Sequence, residues 1–576
     1  MCFIEYYYKK ALPSGVTTLY YRLMIAHIQI QEKSFGSEVL YKNLDIKIQA
    51  GEKIGLVGRN GTGKSTLLNI VNGQDTHFSG DVVFKKNLVV VSSRQEHHEH
   101  EETRVLDYIV NDLPEYTKLK HIMDTYPDTM GDNQTKIQTY SDTLERFAQL
   151  GFFNVEEEII QLMEVYQIPK DKIGGKISEL SGGQKRLIEL VKIQRSNADL
   201  VLVDEPTNHM DYVAKKSFID WLKQSKDAVV AITHDRDLLG EVDRIIEIRD
   251  GEAKIFEGNY DAYLRGNALG ISTGLNDYQV TQSRIKNLQD SVVRFQRLKE
   301  KARNPGTIAQ FKRLEQEART ELTELEAKEK PSFWIDKESI KGLKPKHSAS
   351  YEKHKTQNIR ISTQGEDNQY INKILSTSDL SLGYDNPLFQ NLNFGLMASE
   401  RLEIRGRNGV GKTTIVKAII DSQKENKLDC KVFAGEIEIN PLTKIGVYEQ
   451  ELPQSYMSLT LVDAVYKTYI DKGLDITTTK IKSLLSDYLF NPHADADKPI
   501  SNLSGGQKAR LQLISMLAGK PNLLILDEPT NHLDLPSIEE LETTIANYKG
   551  AVIFISHDSY FAQAVGGKLL ELKAKS

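Results

Sequence analysis

Short, largely apolar runs recur along the chain, each bounded by polar or glycine-rich sequence. They include KIGLV (53–57), LVLV (200–203), AVVAI (228–232), LLIL (523–526) and AVIFI (551–555). Runs of this length, rich in β-branched residues, predict buried strands. Between the two sets of strands the pattern changes. Ile285, Leu288, Val292, Phe295 and Leu298 recur at helical spacing, as do Phe311, Leu314, Ala318, Leu322 and Leu325. Two narrow apolar stripes interrupted by Asn304-Pro305-Gly306 predict an antiparallel helical hairpin. Its first helix, from about Asn276 to Arg303, would be roughly 40 Å long at 1.5 Å per residue. Tyr140, Leu144, Phe147 and Leu150 predict a further short helical arm. The polar, basic stretch 331–377 reads as a connection.

The strand pattern is written twice. GRNGTGKST (58–66) returns as GRNGVGKTT (406–414), LSGGQK (180–185) as LSGGQK (503–508), VDEPTNHMD (203–211) as LDEPTNHLD (526–534), and ITHD (232–235) as ISHD (555–558). From LSGGQK onward the two copies keep one constant offset, which means duplication. Upstream, the first copy carries about 32 extra residues, around 113–158. The organisation expected is a leader (1–22), a first α/β domain (23–265) with that helical insert, a linker (266–370) and a second α/β domain (371–576). The leader lacks the apolar core of a signal peptide, so a disordered extension or an early start ahead of Met24 is expected.

Composition narrows the class. The 576 residues carry a net charge of −6, which excludes a surface uniformly built for nucleic acid and requires any such binding to be local. Two cysteines, Cys2 and Cys430, make no disulfide framework and suit a reducing compartment. No run approaches the roughly 18 apolar residues of a bilayer span. A cytoplasmic protein is expected.

GRNGTGKS fits the phosphate-binding pattern G-x-x-x-x-G-K-[ST], with a strand before it and a helix after it. Glycines let backbone N–H groups wrap phosphates, the lysine supplies a point charge, and the hydroxyl reaches Mg²⁺. The residues expected to hold nucleotide are Gly58, Asn60, Gly61, Gly63, Lys64, Ser65 and Thr66 in one copy. Their counterparts are Gly406, Asn408, Gly409, Gly411, Lys412, Thr413 and Thr414. Each copy continues with an apolar run ending in Asp-Glu. Asp204 and Asp527 stand where a P-loop enzyme places its Mg²⁺ partner, with Ser65 and Thr413. Glu205 and Glu528 are then placed to activate the attacking water. A surface acid at a strand end would not explain why both copies carry Asp-Glu-Pro-Thr-Asn-His.

LSGGQ, together with these motifs and a histidine after a further strand, resembles the ATP-binding cassette superfamily. The resemblance implies an α/β fold of two P-loop cassette domains, each with a helical subdomain, joined here by the α-helical hairpin. It also implies head-to-tail stacking, so that Ser504, Gly505 and Gly506 complete the first site, and Ser181, Gly182 and Gly183 the second. LSGGQ just before a helix suits this role, because helix N-termini attract anions. His234 and His557 would grip the γ-phosphate, Gln95 and Gln450 would contact Mg²⁺, and Phe35 and Tyr384 would stack on adenine, an aromatic near a strand end being equally a core residue. ATP and Mg²⁺ are the cofactors implied. Neither copy lacks its glutamate or histidine, so both sites are expected to hydrolyse ATP.

Two cassettes in one chain, TNHMD/TNHLD, and a charged helical linker resemble the ABC-F family in particular. That resemblance implies a monomer that binds the ribosome when ATP closes it. The hairpin would reach toward rRNA, P-site tRNA and the peptidyl-transferase centre, with release on hydrolysis. From Arg284 to Arg313, nine basic residues face Asp290 and Glu300, a local balance of +7. The RNA-binding candidates are Arg294, Arg297, Lys299, Lys301, Arg303, Lys312 and Arg313, against the alternative of a solvated coiled coil. The short Asn-Pro-Gly tip favours a housekeeping or stall-relief factor over an antibiotic-resistance protein of the same family. A transporter motor and a DNA-maintenance ATPase are the alternatives of other classes. Met210, where the motif usually has leucine, is an apolar swap expected to be tolerated.

Overall fold

β3 (Lys53–Gly58), β6 (Leu200–Asp204) and β7 (Ala228–Ile232) are buried along almost their whole length. They lie side by side in a six-stranded sheet of order β5-β6-β7-β3-β8-β9, completed by β5 (Val90–Ser92), β8 (Arg244–Arg249) and β9 (Glu252–Glu257). All pairs are parallel except β8–β9. Burial on both faces is why these strands read as continuous apolar runs. Each Val, Leu or Ile contributes about 1.5–3 kcal/mol of burial free energy, which anchors the polar residues at the strand ends. The computed structural model describes residues 24–35, 38–59, 61–94, 100–208, 210–249, 251–326, 373–423, 430–448, 452–488, 490–492, 494–503, 505–531 and 533–572. The leader 1–22, most of the connection before the second half, and the site candidates Asn60, Gln95, Gln450 and Ser504 lie outside the described residues.

An antiparallel sheet of order β2-β1-β4 packs over the first large sheet, formed by β1 (Met24–Phe35), β2 (Glu38–Gln49) and β4 (Ser79–Phe84). Ile28, Ile30, Leu44, Ile46 and Ile48 from its inner face join Ile54, Leu56, Leu202 and Val230 in one core. The longer helices of this half are α1 (Lys64–Val71), α2 (Val105–Asn111), α3 (Tyr116–Thr129), α4 (Gln134–Gln149), α5 (Val155–Val165), α6 (Gly182–Arg195) and α7 (Tyr212–Gln224), beside single turns at Lys170–Ile173 and Arg236–Leu239. α3 and α4 occupy the stretch that lengthens the first copy. Tyr116, Phe147 and Phe152 pack as tilted and edge-to-face rings at 5.2–5.7 Å, and Arg146 pairs with Glu115 at 2.6 Å.

Chain contacts divide the protein into two compact units, one holding both sheet-bearing halves and a helical one from Asp261. The helical unit is built from α8 (Tyr260–Lys301, 42 residues) and α9 (Pro305–Glu326, 22 residues). α8 spans about 63 Å at 1.5 Å per residue, and it begins at Tyr260 rather than near Asn276. Leu288 and Val292 pack on Ala318, Leu322 and Leu325. Arg284–Glu321 and Lys299–Glu315 pairs fix the antiparallel register.

The second half repeats the first in shorter form. β12 (Arg401–Arg405), β14 (Ile445–Tyr448), β15 (Leu523–Asp527), β16 (Ala551–Ile555) and β17 (Lys568–Glu571) make a parallel sheet of order β14-β15-β16-β12-β17. A three-stranded antiparallel sheet of order β11-β10-β13 covers it, from β10 (Lys373–Gly383), β11 (Pro387–Met397) and β13 (Lys431–Ile439). Its helices are α10 (Lys412–Gln423), α11 (Leu461–Asp471), α12 (Thr478–Asp487), α13 (Gly505–Leu517), α14 (Leu535–Asn547) and α15 (Ser559–Val565).

Candidate active sites

The C-terminal ends of β3, β6 and β7 deliver the loop after Gly58, the pair Asp204-Glu205 and the segment of His234 to one edge of the sheet. Gly61 and Gly63 have φ of 88° and 93°, backbone that L side chains rarely adopt. Lys64 is buried and its Nζ donates to the carbonyls of Gly58 (2.7 Å) and Arg59 (3.1 Å), which curls the loop around its own amine. Lys412 does the same with Gly406 (2.8 Å) and Arg407 (3.1 Å). Burial pushes both ammonium groups down, opposed by Glu205, Asp534 and Asp204 for Lys64, and by Glu528, Asp211 and Asp527 for Lys412. Lys64 thus feels carboxylates of both halves, as does Lys412.

Ser65 Oγ donates to Asp204 Oδ2 at 2.8 Å, and Thr413 hydrogen-bonds Asp527. A hydroxyl and a carboxylate oxygen therefore meet at each P-loop. That is the hard oxygen donor pair to which Mg²⁺ binds alongside phosphates, so these residues fit the ion. A cavity of about 130 Å³ opens beside Asp204 and Glu205, lined also by Arg94 and Glu189, with room for water.

Glu205 and Glu528 both adopt left-handed backbone, φ 48° and 47°, with their N–H groups tied to Ile232 O (2.9 Å) and Ile555 O (3.0 Å). Such strain in a non-glycine residue persists only where the surroundings impose it. His557 Nε2 lies 3.1 Å from Glu528 Oε1, and His234 Nε2 lies 3.7 Å from Glu205 Oε1. Both ring nitrogens of His234 are buried without a hydrogen-bond partner among the described residues. Burial, with Lys64 adding, lowers His234 to about 3; burial with Lys412 lowers His557 to about 3, so both imidazoles are neutral at pH 7. Burial pushes Glu205 up to about 8, reinforced by Asp204. It pushes Glu528 up to about 7 against the pull of Lys412.

These raised carboxyls carry a stability consequence. Above the ordinary carboxylate value the unfolded chain has released its proton while the folded site still holds it. Stability therefore falls as pH rises toward 7 and 8. Glu205→Gln with Glu528→Gln removes the titration. Without metal or nucleotide, the double variant should melt higher than the parent by an amount that grows from about pH 5 to pH 8. At about 2–4 °C per kcal/mol, a gain of several degrees is expected at the upper end. A gap that is constant or shrinks with pH in thermal unfolding with chelator would refute this assignment.

The two halves meet at these sites. Asp211 caps α7 with Oδ1, accepting from Val213 N (3.1 Å) and Ala214 N (2.9 Å). Its Oδ2 accepts from Asn408 N (3.2 Å) and Arg407 Nε (3.4 Å) of the opposite P-loop. Arg407 also donates to Val165 O at the end of α5 (3.4 Å). In the other direction, Asp534 acts on the charges of Lys64 and His234, and Arg510 of α13 feels Arg59. Ser181 and Gln184 cap α6 reciprocally (3.3 and 2.9 Å), which places Gly182 and Gly183 in its first turn; Gly505 and Gly506 open α13.

Phe35 and Tyr384 are exposed, 57% and 49%, and neither belongs to a core. Met210 and its counterpart Leu533 are both buried. Thr66 hydrogen-bonds Tyr41, whose buried hydroxyl also donates to Gly63 O and pins the first P-loop. Sequence reasoning missed Tyr41. Phe389 occupies the matching place beside Gly411, so the repeat offers no shared polar signal there. On α8 and α9, Lys299 pairs with Glu315 (2.5 Å) and Arg313 with Glu317 (2.9 Å). Arg294, Arg297, Lys301, Arg303 and Lys312 are exposed and form no ion pair among the described residues.

A sequence family described as ABC transporter matches residues 41–208 and 389–531, and a second of the same description matches 246–335. The chain is 31% identical to ABC transporter F family member 5 of Arabidopsis thaliana, over 94% of this chain and 74% of that one. It is 30% identical to the ATP-binding protein YdiF of Bacillus subtilis, over 96% and 80%. It is 28% identical to the energy-dependent translational throttle protein of Mycobacterium tuberculosis, over 92% and 88%. Among solved structures it shares the fold of an RNase-L inhibitor, with TM-score 0.53, 17% identity, and coverage of 94% of this chain and 87% of that chain. The twin P-loops, the paired Asp-Glu strand ends and these relatives lead to one conclusion: the chain belongs to the F family of ABC proteins and is an ATPase with two cassettes.

Proposed function

We propose that the chain is a translation factor that binds the ribosome in its ATP-bound, closed state and leaves when ATP is hydrolysed. Each ATP would lie between one P-loop and the opposite signature helix. The first site would use Gly58, Asn60, Gly61, Gly63, Lys64, Ser65 and Thr66 with Ser504, Gly505 and Gly506. The second would use Gly406, Asn408, Gly409, Gly411, Lys412, Thr413 and Thr414 with Ser181, Gly182 and Gly183. The contact of Asp211 with Asn408 and Arg407 supports this pairing, because it already joins one half's loop to the other's phosphate cradle. Exposed Phe35 and Tyr384 would stack on adenine, Phe35 on the ring face not covered by the Lys33 ammonium 4.8 Å from its centroid.

Ser65 with Asp204, and Thr413 with Asp527, would hold Mg²⁺, with Gln95 and Gln450 completing the set. When bound, the ion neutralises phosphate charge. Lys64 and Lys412 then bind the β- and γ-phosphates while the loop amides orient them. Glu205 and Glu528 align the attacking water and accept its proton. Neutral His234 and His557 hold a proton that donates a hydrogen bond toward the γ-phosphate without adding charge. Opposite-half contacts exclude bulk water, which strengthens these interactions.

The ribosome enters this reading through the relative named a translational throttle protein and through the hairpin. The observation that carries it is the exposed, unpaired charge of Arg294, Arg297, Lys301, Arg303 and Lys312 around the turn between α8 and α9. Such a cluster suits phosphates of rRNA and P-site tRNA. Lys299 and Arg313 would contribute less, since each is engaged by a glutamate. Replacing the five unpaired residues by alanine is expected to weaken ribosome co-sedimentation most at raised salt. It should also flatten the log affinity against log salt line, by up to about 1 per lost phosphate contact. An unchanged slope and affinity would leave the hairpin a solvated coiled coil and remove the basis for the RNA partner.

A further inference from the structure

Lys215 is a buried cation with partners in both halves. It stands on α7, in the first half, with 6% of its surface exposed. Its Nζ lies 2.8 Å from Asp235 Oδ2 and 2.5 Å from Asp237 Oδ2 of its own half, and it donates to the backbone carbonyl of His557, at 3.0 Å, in the other. Burial opposes the charge, but Asp235 and Asp237 outweigh that cost and hold the amine protonated. The same seam carries a second buried crossing pair, Arg236 with Glu542 at 2.8 Å, and Ser559 Oγ donates to Asp237 Oδ1.

The duplication makes this contact one-sided. The position that repeats Lys215 is Ile538, apolar and 2% exposed, which can donate nothing to a backbone carbonyl. The positions that repeat Asp237 and Glu542 are Tyr560 and Ile219. Lys215 thus donates to the backbone of His557 from across the interface. The His234 loop is tied across by Arg236 to Glu542 instead, and among the described residues no hydrogen bond reaches the His234 carbonyl itself. Lys215 and His557 also line one cavity of about 440 Å³ between the halves, with Arg405, Asp558 and Ser559.

From this geometry we infer that Lys215 is a positioning residue for the second ATP site, supplied by the first half: it fixes the His557 backbone only when the halves are closed. The inference rests on the composite-site reading above. It makes the two sites inequivalent, because closure organises the histidine of one through a hydrogen bond that the other lacks.

Steady-state and single-turnover ATP hydrolysis of the full chain tests it. Lys215→Met should lower kcat about 5- to 20-fold with KM within twofold, and Lys215→Arg should recover most of the loss. Lys215→Met with Asp235→Asn and Asp237→Asn, which leaves neither carboxylate unpaired and keeps the Asp235 cap to the 237 amide, should fold like the parent yet keep the kcat defect. The site is identified by a double-mutant cycle. In the His557→Ala background Lys215→Met should add less than twofold, whereas in His234→Ala it should retain its full effect. Equal losses in both backgrounds, KM rising with kcat, or recovery in the triple variant would overturn the inference. Loss of ATP hydrolysis from the parent itself on breaking the composite site at Asp211 would be unaffected by any of these outcomes. The two readings therefore fail separately.

Discussion

Replacing Glu205 and Glu528 together by glutamine is expected to lower ATP turnover by at least about 100-fold, the usual contribution of a positioned general base. ATP binding should survive and tighten. Each glutamate is half-buried, and the desolvation of its carboxyl pushes it up, so its anion is costly in the folded site. Glutamine keeps the shape of the protonated side chain and cannot ionise, so no carboxylate charge can form to repel a γ-phosphate. The left-handed backbone at both positions is set by bonds from Glu205 N to Ile232 O and from Glu528 N to Ile555 O, which glutamine retains. Equilibrium ATP titration and phosphate release on the same preparation check both halves of the expectation. Turnover within tenfold of the parent would show that water is activated by other groups.

The second large effect concerns Gly63. An added Cβ there would meet Tyr41 Oη at 2.5 Å and Leu40 Cδ2 at 2.6 Å, on a backbone with φ of 93°. Tyr41 cannot step aside, because it is fully buried and its hydroxyl bonds the Gly63 carbonyl. At Gly411 the nearest atoms are ring carbons of Phe389 at 3.1–3.2 Å and Leu388 at 3.2 Å, contacts relieved by small shifts. With φ positive at both, the difference lies in the packing. Gly63→Ala should weaken nucleotide binding at its site by about 5- to 150-fold, given about 1–3 kcal/mol for imposed backbone strain. Gly411→Ala should cost clearly less, and Tyr41→Phe should partly rescue Gly63→Ala. Equal penalties in ATP titrations, or no rescue, would contradict the packing argument.

What could be read from the sequence was what repeats locally. The apolar runs became the central strands because burial on both faces demands continuous apolar residues. The P-loops, the Asp-Glu ends and the histidines sit at the ends of those strands, where spacing alone had put them. Contacts between distant residues were not legible. Lys215, on a helix with ordinary amphipathic composition, gains its meaning from a carbonyl of His557 in the other half. Tyr41 gains its meaning from one carbonyl of the first P-loop, and Phe389 fills the same place without a polar group. The start of α8 was placed too late because Gly266, Gly270 and Gly274 each weaken a helix by about 1 kcal/mol relative to alanine. The described helix runs through them from Tyr260. Charge counting also overstated the free basic surface, since Lys299 and Arg313 are already paired on the hairpin.

The most direct test of the account is sedimentation of the Glu205→Gln, Glu528→Gln variant through a sucrose cushion with ribosomes, in Mg·ATP and in Mg·ADP. The account predicts that the ATP-loaded variant pellets with ribosomes and remains there, while the ADP-loaded variant stays in the supernatant. An ATP-loaded variant that stays in the supernatant would contradict it.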